Sequence, residues 1–418
     1  MPRWFRLLMA LVCALELPIC LYLTGALLSA NDPPQPPPPP HTPHEWIRQN
    51  SFLPNDIRTH RPRAALISLV RSSELAGILQ SMSQLERHFN RHHKYPWHFF
   101  SETPFTPSFI NATSSATDAP TSYHLIPHAH WSIPDFIDRD RFMQSLDYVG
   151  AIGVGKGHMV SYRHMCRWNS RFFYHHPALR DYDYYWRVEP DVHFFCTIPY
   201  DPFALFAHFG FVYGFNMAIL EDARSFPSLW PATRAFVADN PHLLHPDADP
   251  TWLFDLDSES DSSTSSSSGG IDSIYNNCQF FSNFEIGDLR FFRGNHGSSD
   301  DHDLGQDSPD IRMRSPHDLY VDHLDRLGGF FYERFGDAPI HTLSVSLFAP
   351  RDRIWWFGDI GYQHDKPPAE TGGYVLADVV GRESLKTRNS WLEKKVGWDR
   401  DVELAWGGDG YGGYVRQG

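Results

Sequence analysis

The hydrophobic pattern changes character along the chain. Residues 7–30 are mostly apolar, with Glu16 the only charge and Pro18 the only proline. At 24 residues this run is long enough to cross a bilayer, which needs about 20. Arg3 and Arg6 precede it, so the tip is expected to stay cytoplasmic and the rest to be lumenal. The pattern predicts a transmembrane signal anchor over residues 1–30. A cleaved signal peptide is the alternative, although its apolar region is shorter, about 7–15 residues. Glu16 opposes insertion by about 2.5–3.5 kcal/mol at mid-bilayer. Prolines 36–40 are unbroken and predict a stiff polyproline II spacer. They fall in a stem over residues 31–62.

From residue 63 the pattern becomes that of a globular domain, expected to run to 370. Residues 64–70 (AALISLV) form a short apolar, β-branched run and predict a buried strand. Ser72 and Ser73 are candidate caps for the next helix, with Glu74 in its first turn. Leu75, Ile78, Leu79, Met82, Leu85 and Phe89 recur at helical spacing. Pro96 ends that region, and residues 97–100 (WHFF) read as a second strand. Strand, helix and strand imply a right-handed crossover onto a parallel sheet. Ligands of such sheets sit beyond the carboxyl ends of the strands, where Val70, Arg71 and Ser72 fall. No glycine-rich phosphate loop occurs, which excludes a P-loop and a dinucleotide fingerprint.

Two polar segments without periodicity, 255–273 and 294–315, read as insertions. His296 and His302 in the second are read as solvated rather than metal-bound. Residues 371–418 form a separate C-terminal tail. Asn111-Ala112-Thr113 is a glycosylation sequon, expected in a polar loop over 106–121 and consistent with a lumenal face.

Composition narrows the functional classes. With 41% hydrophobic residues the chain has material for a large core, which excludes a wholly disordered protein. A net charge of −14 without basic runs makes nucleic acid a poor partner. Aromatics reach 15%. They fill a core or line a carbohydrate or nucleotide site. Beyond Cys13 and Cys20 in the apolar run, Cys166, Cys196 and Cys278 allow at most one disulfide among themselves, with the pair undetermined.

Candidate chemistry gathers in four places. Glu189-Pro190-Asp191 follows an aromatic strand (DYYWRV). Two carboxylates at a strand end suit Mg²⁺ or Mn²⁺ bound jointly with a diphosphate, and Pro190 fixes the turn. Glu285 lies among Phe280, Phe281, Phe284 and Ile286. It is either a salt-bridged helix residue or a catalytic carboxylate. His364 follows a glycine turn and is either structural or a metal ligand. In residues 161–167 (SYRHMCR), Tyr162, Arg163 and Arg167 either meet a diphosphate or sugar hydroxyl, or pair with the acidic surface.

YRHMCRWNS at 162–170, DYDYYWRVEPDVHFFC at 181–196, NNCQFFSNFEIGDLRFF at 276–292 and GGFFYERFGDAPIH at 328–341 resemble the fungal α-1,2-mannosyltransferases, glycosyltransferase family 15. LVRSSELAGIL and YPWHFFSETPFT match that family's first strand–helix–strand. The resemblance runs from about Arg63 to His364. It implies an α/β, GT-A-like nucleotide-sugar-binding fold with a central mixed, mainly parallel sheet. It also implies GDP-mannose as donor, Mn²⁺ as cofactor, a mannose-terminated glycan as acceptor, and retention at the anomeric carbon. By motif position, Glu189 and His364 would hold the metal and Glu285 would face the anomeric carbon. Tyr162 would line the donor–acceptor site, Asp191 would assist Glu189, and Arg71 or Arg163 would add positive charge near the diphosphate. Anchor, stem and domain then describe a type II Golgi membrane enzyme.

The chain departs from the family at the two insertions, which are extra, and in two further places. Ser72 stands where the family's first loop usually has Asn. After His364 the sequence DKPPAETGGYV replaces a proline-rich, cysteine-containing end, which puts a disulfide through that cysteine in doubt. Two other classes stay open on the residues alone. One is a lumenal glycoside hydrolase, which also needs paired carboxylates. The other is a catalytically silent glycan-binding or scaffold protein.

Overall fold

The computed structural model describes residues 42–52, 61–254, 274–294 and 314–364. The anchor at 1–30, the proline run and the tail lie outside these residues. So do both insertions apart from the ends of the second, and with them His296 and His302. Among the described residues no helix is long and apolar enough to cross a membrane.

The chain divides into two units, residues 1–49 and 50–418. Helix α1 (Pro43–Asn50) follows the proline run, within residues 31–62. The Thr42 backbone N–H donates to Glu45 Oε2 at 3.1 Å, and the Glu45 N–H donates to Thr42 Oγ1 at 3.2 Å. This reciprocal capping box satisfies two end donors and starts the helix.

Among its described residues the second unit contains eleven strands: β1 (Ala64–Leu69), β2 (Trp97–Ser101), β3 (Thr121–Leu125), β4 (Tyr184–Val188), β5 (His193–Phe194), β6 (Tyr213–Phe215), β7 (Ala218–Leu220), β8 (Cys278–Phe280), β9 (Phe284–Asp288), β10 (Ile354–Trp356) and β11 (Tyr362–Gln363). Seven form one sheet in the order β10-β6-β9-β4-β1-β2-β3. Every pair is parallel except those made by β9, which runs antiparallel to both β4 and β6. The sheet is therefore mixed and mainly parallel, as the crossover argument and the resemblance imply. Strands β1, β2 and β4 are buried at nearly every position, the mark of a sheet covered on both faces.

Helix α2 (Leu75–Leu85) joins β1 to β2 and buries Ile78, Met82 and Leu85, with Phe89 on the π-helical turn that follows. The expected caps are corrected. Arg71 occupies the cap position of a preceding 3₁₀ turn, and its N–H donates to Glu74 Oε2 at 2.8 Å. The Ser72 hydroxyl instead accepts from the Thr106 N–H. The expected loop at 106–121 contains a helix, α3 (Pro107–Ser115). Asn111 is exposed, but Thr113 is buried. Its hydroxyl donates to the Phe109 carbonyl at 2.8 Å and meets the Tyr123 hydroxyl at 2.8 Å. The sequon's hydroxyl is thus committed to packing. Cys166, Cys196 and Cys278 are all free thiols, so none of the three possible pairs forms.

The aromatic residues resolve mainly into core. Trp186 on β4 packs within 6.4 Å, ring centre to centre, of Phe89, Phe194, Phe203 and Phe284. This is the face of the sheet opposite the polar side chains described next.

Candidate active site

Alternation along three adjacent strands gathers polar groups on one face. Residues directly opposite across an antiparallel pair share a face. Arg187 pairs with Glu285 and Tyr185 with Gly287. Phe215 pairs with Glu285 and Tyr213 with Gly287. Arg187, Tyr185, Glu285 and Tyr213 therefore project together. Gly287 lacks the side chain that would intrude, since a Cβ there would lie 2.5 Å from Tyr185 Cε1. Helix α6, as numbered here after α4 (Val160–Arg167) and α5 (Pro316–Arg326), spans Asp337–Phe348 and covers this face. It presents Asp337 and His341, four residues apart and so on one side of the helix.

Glu285 is 1% exposed and lies on a strand, not on a helix. It accepts a hydrogen bond from the Tyr185 hydroxyl on Oε1 at 3.1 Å and one from the Tyr213 hydroxyl on Oε2 at 2.9 Å, and Oε2 lies 3.0 Å from His341 Nδ1. A buried carboxylate is tolerated only with such donors.

Arg187 is the hub beside it. Nε donates to Glu189 Oε1 at 2.6 Å, and Nη1 donates to Asp337 Oδ2 at 2.5 Å. The Ser282 hydroxyl also donates to Asp337 Oδ2, at 3.0 Å. Burial alone would lower the Arg187 pKa, but Glu189, Asp337 and Glu285 outweigh it and keep the guanidinium charged. Burial likewise works to raise Asp337, and Arg187 and His341 overcome it and hold that carboxyl below its ordinary range. Sequence reasoning assigned roles to neither Arg187 nor Asp337. The available signal was an arginine in the middle of an otherwise aromatic strand.

Glu189 follows the last residue of β4, at the carboxyl edge of the sheet. The turn is clamped to α2, because the Ser81 hydroxyl donates to the Glu189 carbonyl (2.7 Å) and the Asp191 N–H donates to the Gly77 carbonyl (3.0 Å). Asp191 adopts a left-handed backbone, φ 60°. Its carboxylate presses on the first turn of α2, where a Cβ on Gly77 would lie 2.7 Å from Asp191 Oδ2. A negative group is favoured at a helix start, so Asp191 fixes the turn that carries Glu189.

Strand β11 pairs with β5, which follows the Glu189 turn in sequence, and His364 comes one residue after β11. Tyr362 pairs with Phe194 and Gln363 with His193, antiparallel. The His364 ring lies 5.9 Å, centre to centre, from that of Phe281. Among the described residues no group of three or more His, Cys, Asp or Glu side chains could hold a metal ion. Glu189 and His364 are of donor types that would suit a divalent cation whose remaining ligands came from a diphosphate and water.

Tyr162 on α4 lies between two cations, with Lys156 Nζ 5.2 Å and Arg334 Cζ 5.3 Å from its ring centre. Its pKa is raised well above the ordinary phenol value, first by the neighbouring Cys166 and then by burial. It is thus a neutral hydrogen-bonding group. Arg334 Nη2 pairs with Glu221 Oε1 at 3.0 Å, and Glu221 Oε2 accepts from Gln279 at 3.2 Å.

Arg163 is corrected by its burial. It has no exposed surface, and Nη2 donates to the Gly157 carbonyl at 3.0 Å and Nη1 to the Phe330 carbonyl at 3.4 Å. Desolvation lowers its pKa to about 10. It holds backbone in place and does not present charge to a ligand. Arg167 is likewise internal, bound through Nε (2.7 Å) and Nη2 (2.9 Å) to Asp325. Arg71 lies where predicted, just past the end of β1, half exposed and paired with Glu102 at 2.5 Å.

Comparison with known proteins identifies the family. A family model described as glycolipid 2-alpha-mannosyltransferase matches residues 37–299 and 310–371. The chain belongs to that family. It is 36% identical over 316 residues to the O-glycoside alpha-1,2-mannosyltransferase omh1 of Schizosaccharomyces pombe, covering 76% of this chain and 71% of that one. It is 39% identical over 304 residues to the alpha-1,2 mannosyltransferase KTR1 of Saccharomyces cerevisiae, covering 73% and 69%. The crystal structure of core-mannan synthase A from Aspergillus fumigatus, in a Mn/GDP form, superposes with a TM-score of 0.67 at 36% identity, covering 88% of this chain and 95% of that one. A mannosyltransferase family, and with it a glycosyltransferase rather than a hydrolase or silent scaffold, accounts for the chain.

Proposed function

We propose that the protein transfers mannose from GDP-mannose to O2 of a terminal mannose on N- or O-linked glycans, with retention of configuration and with Mn²⁺. The observation that carries this reading is the buried Glu285 carboxylate on β9. Its partner across the strand pair, Arg187, bonds Glu189 at the sheet's carboxyl edge. One network thus joins a carboxylate suited to a developing positive centre to a turn suited to a diphosphate.

In this reading Glu189 and His364 hold the divalent ion. When bound, that ion would neutralise the charge growing on the GDP leaving group. Arg71, half exposed past β1, adds positive charge on the same side. Glu285 faces the anomeric carbon and opposes its developing positive charge, either as a nucleophile or as an electrostatic partner while the acceptor attacks. Tyr162 remains protonated and lines the place where donor and acceptor meet. The tyrosines on Glu285 spend their hydrogens on it, which fixes its orientation before substrate arrives.

The N-terminal apolar run, behind Arg3 and Arg6, leads us to place the protein in the Golgi membrane as a type II enzyme with its domain lumenal. Protease protection of the domain in sealed vesicles is the expected result, and digestion from outside would reject it.

The function is tested by offering the purified protein a panel of sugar nucleotides, with Mn²⁺ or a chelator, and methyl α-mannoside as acceptor. Transfer from GDP-mannose alone, abolished by the chelator, is expected. Transfer from another donor, or no dependence on a divalent ion, would overturn the reading.

A further inference from the structure

The hydrogen bonds around Glu285 and His341 fix where their protons lie. His341 is fully buried. Its Nε2 is 3.1 Å from the Asn169 carbonyl oxygen, and its Nδ1 is 3.0 Å from Glu285 Oε2. A carbonyl oxygen only accepts, so Nε2 carries a hydrogen. A neutral ring with its hydrogen there would aim the Nδ1 lone pair at a carboxylate oxygen. That contact is repulsive unless a proton lies between them. Either a neutral Glu285 donates to Nδ1, or an ionised Glu285 accepts from an imidazolium.

The surroundings decide between these. Glu285 already receives a hydroxyl hydrogen on each oxygen, from Tyr185 of β4 and Tyr213 of β6, and donors to both oxygens favour the charged carboxylate. Arg187 of β4 is its nearest permanent cation, but that charge is shared with Glu189 and Asp337. Three carboxylates around one guanidinium leave Glu285 in need of its own counter-charge. Asp337 of α6 adds negative potential at His341. The remaining titratable neighbour is His317 of α5, its ring centre 5.5 Å from that of His341. His317 donates through Nε2 to the Ser170 carbonyl (3.0 Å) and meets the Ser344 hydroxyl through Nδ1 (2.8 Å), a neutral ring's pattern. Two histidines in edge-to-face contact, their ring planes 69° apart, therefore have different partners, a hydroxyl for one and a carboxylate for the other.

We infer that His341 is an imidazolium that donates from both ring nitrogens and holds Glu285 ionised, making it a positioning residue for mannosyl transfer. The positioning role rests on the reading of Glu285 given above; the protonation state does not. In full-length protein labelled with ¹⁵N-histidine, His341 should show hydrogens on both ring nitrogens at neutral pH, as a pair of signals absent from His341→Asn. A single ring N–H assigned to His341 overturns the imidazolium. His341→Asn keeps a donor near the Nδ1 position without the charge. Its kcat should fall about 10- to 100-fold, the scale of one charge-assisted hydrogen bond, with KM for GDP-mannose within about twofold. The acid limb of kcat should also move to higher pH, because the carboxylate has lost its counter-charge. A folded His341→Asn with wild-type kcat and an unmoved acid limb overturns the positioning role. Should that variant fail to fold, the wild-type spectrum still decides the protonation state. Undiminished turnover in Glu285→Gln would instead reject the role of Glu285 and leave the spectrum standing.

Discussion

Glu285→Gln changes one oxygen for an amide nitrogen and leaves volume almost unchanged, so its consequences can be worked out from the contacts. In the wild type Oε1 accepts one hydrogen bond and Oε2 accepts two. A glutamine keeps a single acceptor oxygen, and its NH₂ faces a group that now donates. At least one phenol must turn or lose its partner, at a cost of about 1–3 kcal/mol for a buried group left unsatisfied. Domains are typically stable by about 5–15 kcal/mol, so the fold should survive with a lowered melting temperature. The larger effect is on the reaction. Removing a preorganised charge aimed at the developing centre costs about 10²–10³ in kcat. Affinity for GDP should change little, because the proposed metal ligands, Glu189 just past β4 and His364 just past β11, are residues distinct from Glu285. The assay is steady-state transfer from GDP-mannose together with GDP binding by calorimetry and a thermal melt. A loss confined to kcat supports a role in the transition state. A folded variant with kcat within about threefold of wild type, or a loss of GDP affinity as large as the loss of kcat, would refute the reasoning.

Four further outcomes are expected. Glu189→Gln should remove the Mn²⁺ dependence of GDP binding, read by titrating the metal; unchanged dependence would move the ligand set elsewhere. Gly287→Ala places a Cβ 2.5 Å from Tyr185 Cε1; overpacking of this kind costs about 1–3 kcal/mol, seen as a lower melting temperature, and kcat should fall with it because Tyr185 holds Glu285. Arg163→Ala should lower stability by about 1–3 kcal/mol, since the Gly157 and Phe330 carbonyls lose their donor, while KM for GDP-mannose in the folded protein stays unchanged; a raised KM would return Arg163 to the donor site. His98 and His124, stacked with a 2.9 Å nitrogen–nitrogen contact, have pKa values lowered to about 4, first by burial and then by neighbouring histidines. The unfolded chain therefore takes up protons first, near the ordinary histidine value of about 6.5. Their contribution is present above that pH and is lost as pH falls toward 4, so thermal melts should show stability declining over that interval, less steeply in His124→Gln.

What the sequence made legible follows from how local each signal is. The β1–α2–β2 crossover could be read because six apolar residues at helical spacing sit between two short apolar runs, and each signal lies within one element. The Glu189 turn was legible for the same reason. Glu285 was marked by its apolar neighbours, but its three donors come from β4, β6 and α6, 100, 72 and 56 residues away in sequence. Local pattern carries no trace of such partners, which left a helical ion pair and a catalytic carboxylate equally open. Arg163 failed as a ligand residue for a related reason. An arginine on a short helix reads as exposed unless the loops that bury it, near Gly157 and Phe330, are already known. Thr113 was placed in a loop because a polar run of Ser, Thr and Asn favours turns, whereas Thr106 and Pro107 in fact supply the cap and first residue of a helix.

The central claim is that this chain makes an α-1,2-mannosyl linkage from GDP-mannose. NMR of the product formed on methyl α-mannoside tests it most directly. The account predicts a single disaccharide with an α-mannosyl unit on O2, formed only with Mn²⁺. A β-anomer, attachment at another oxygen, or release of free mannose without transfer would contradict it.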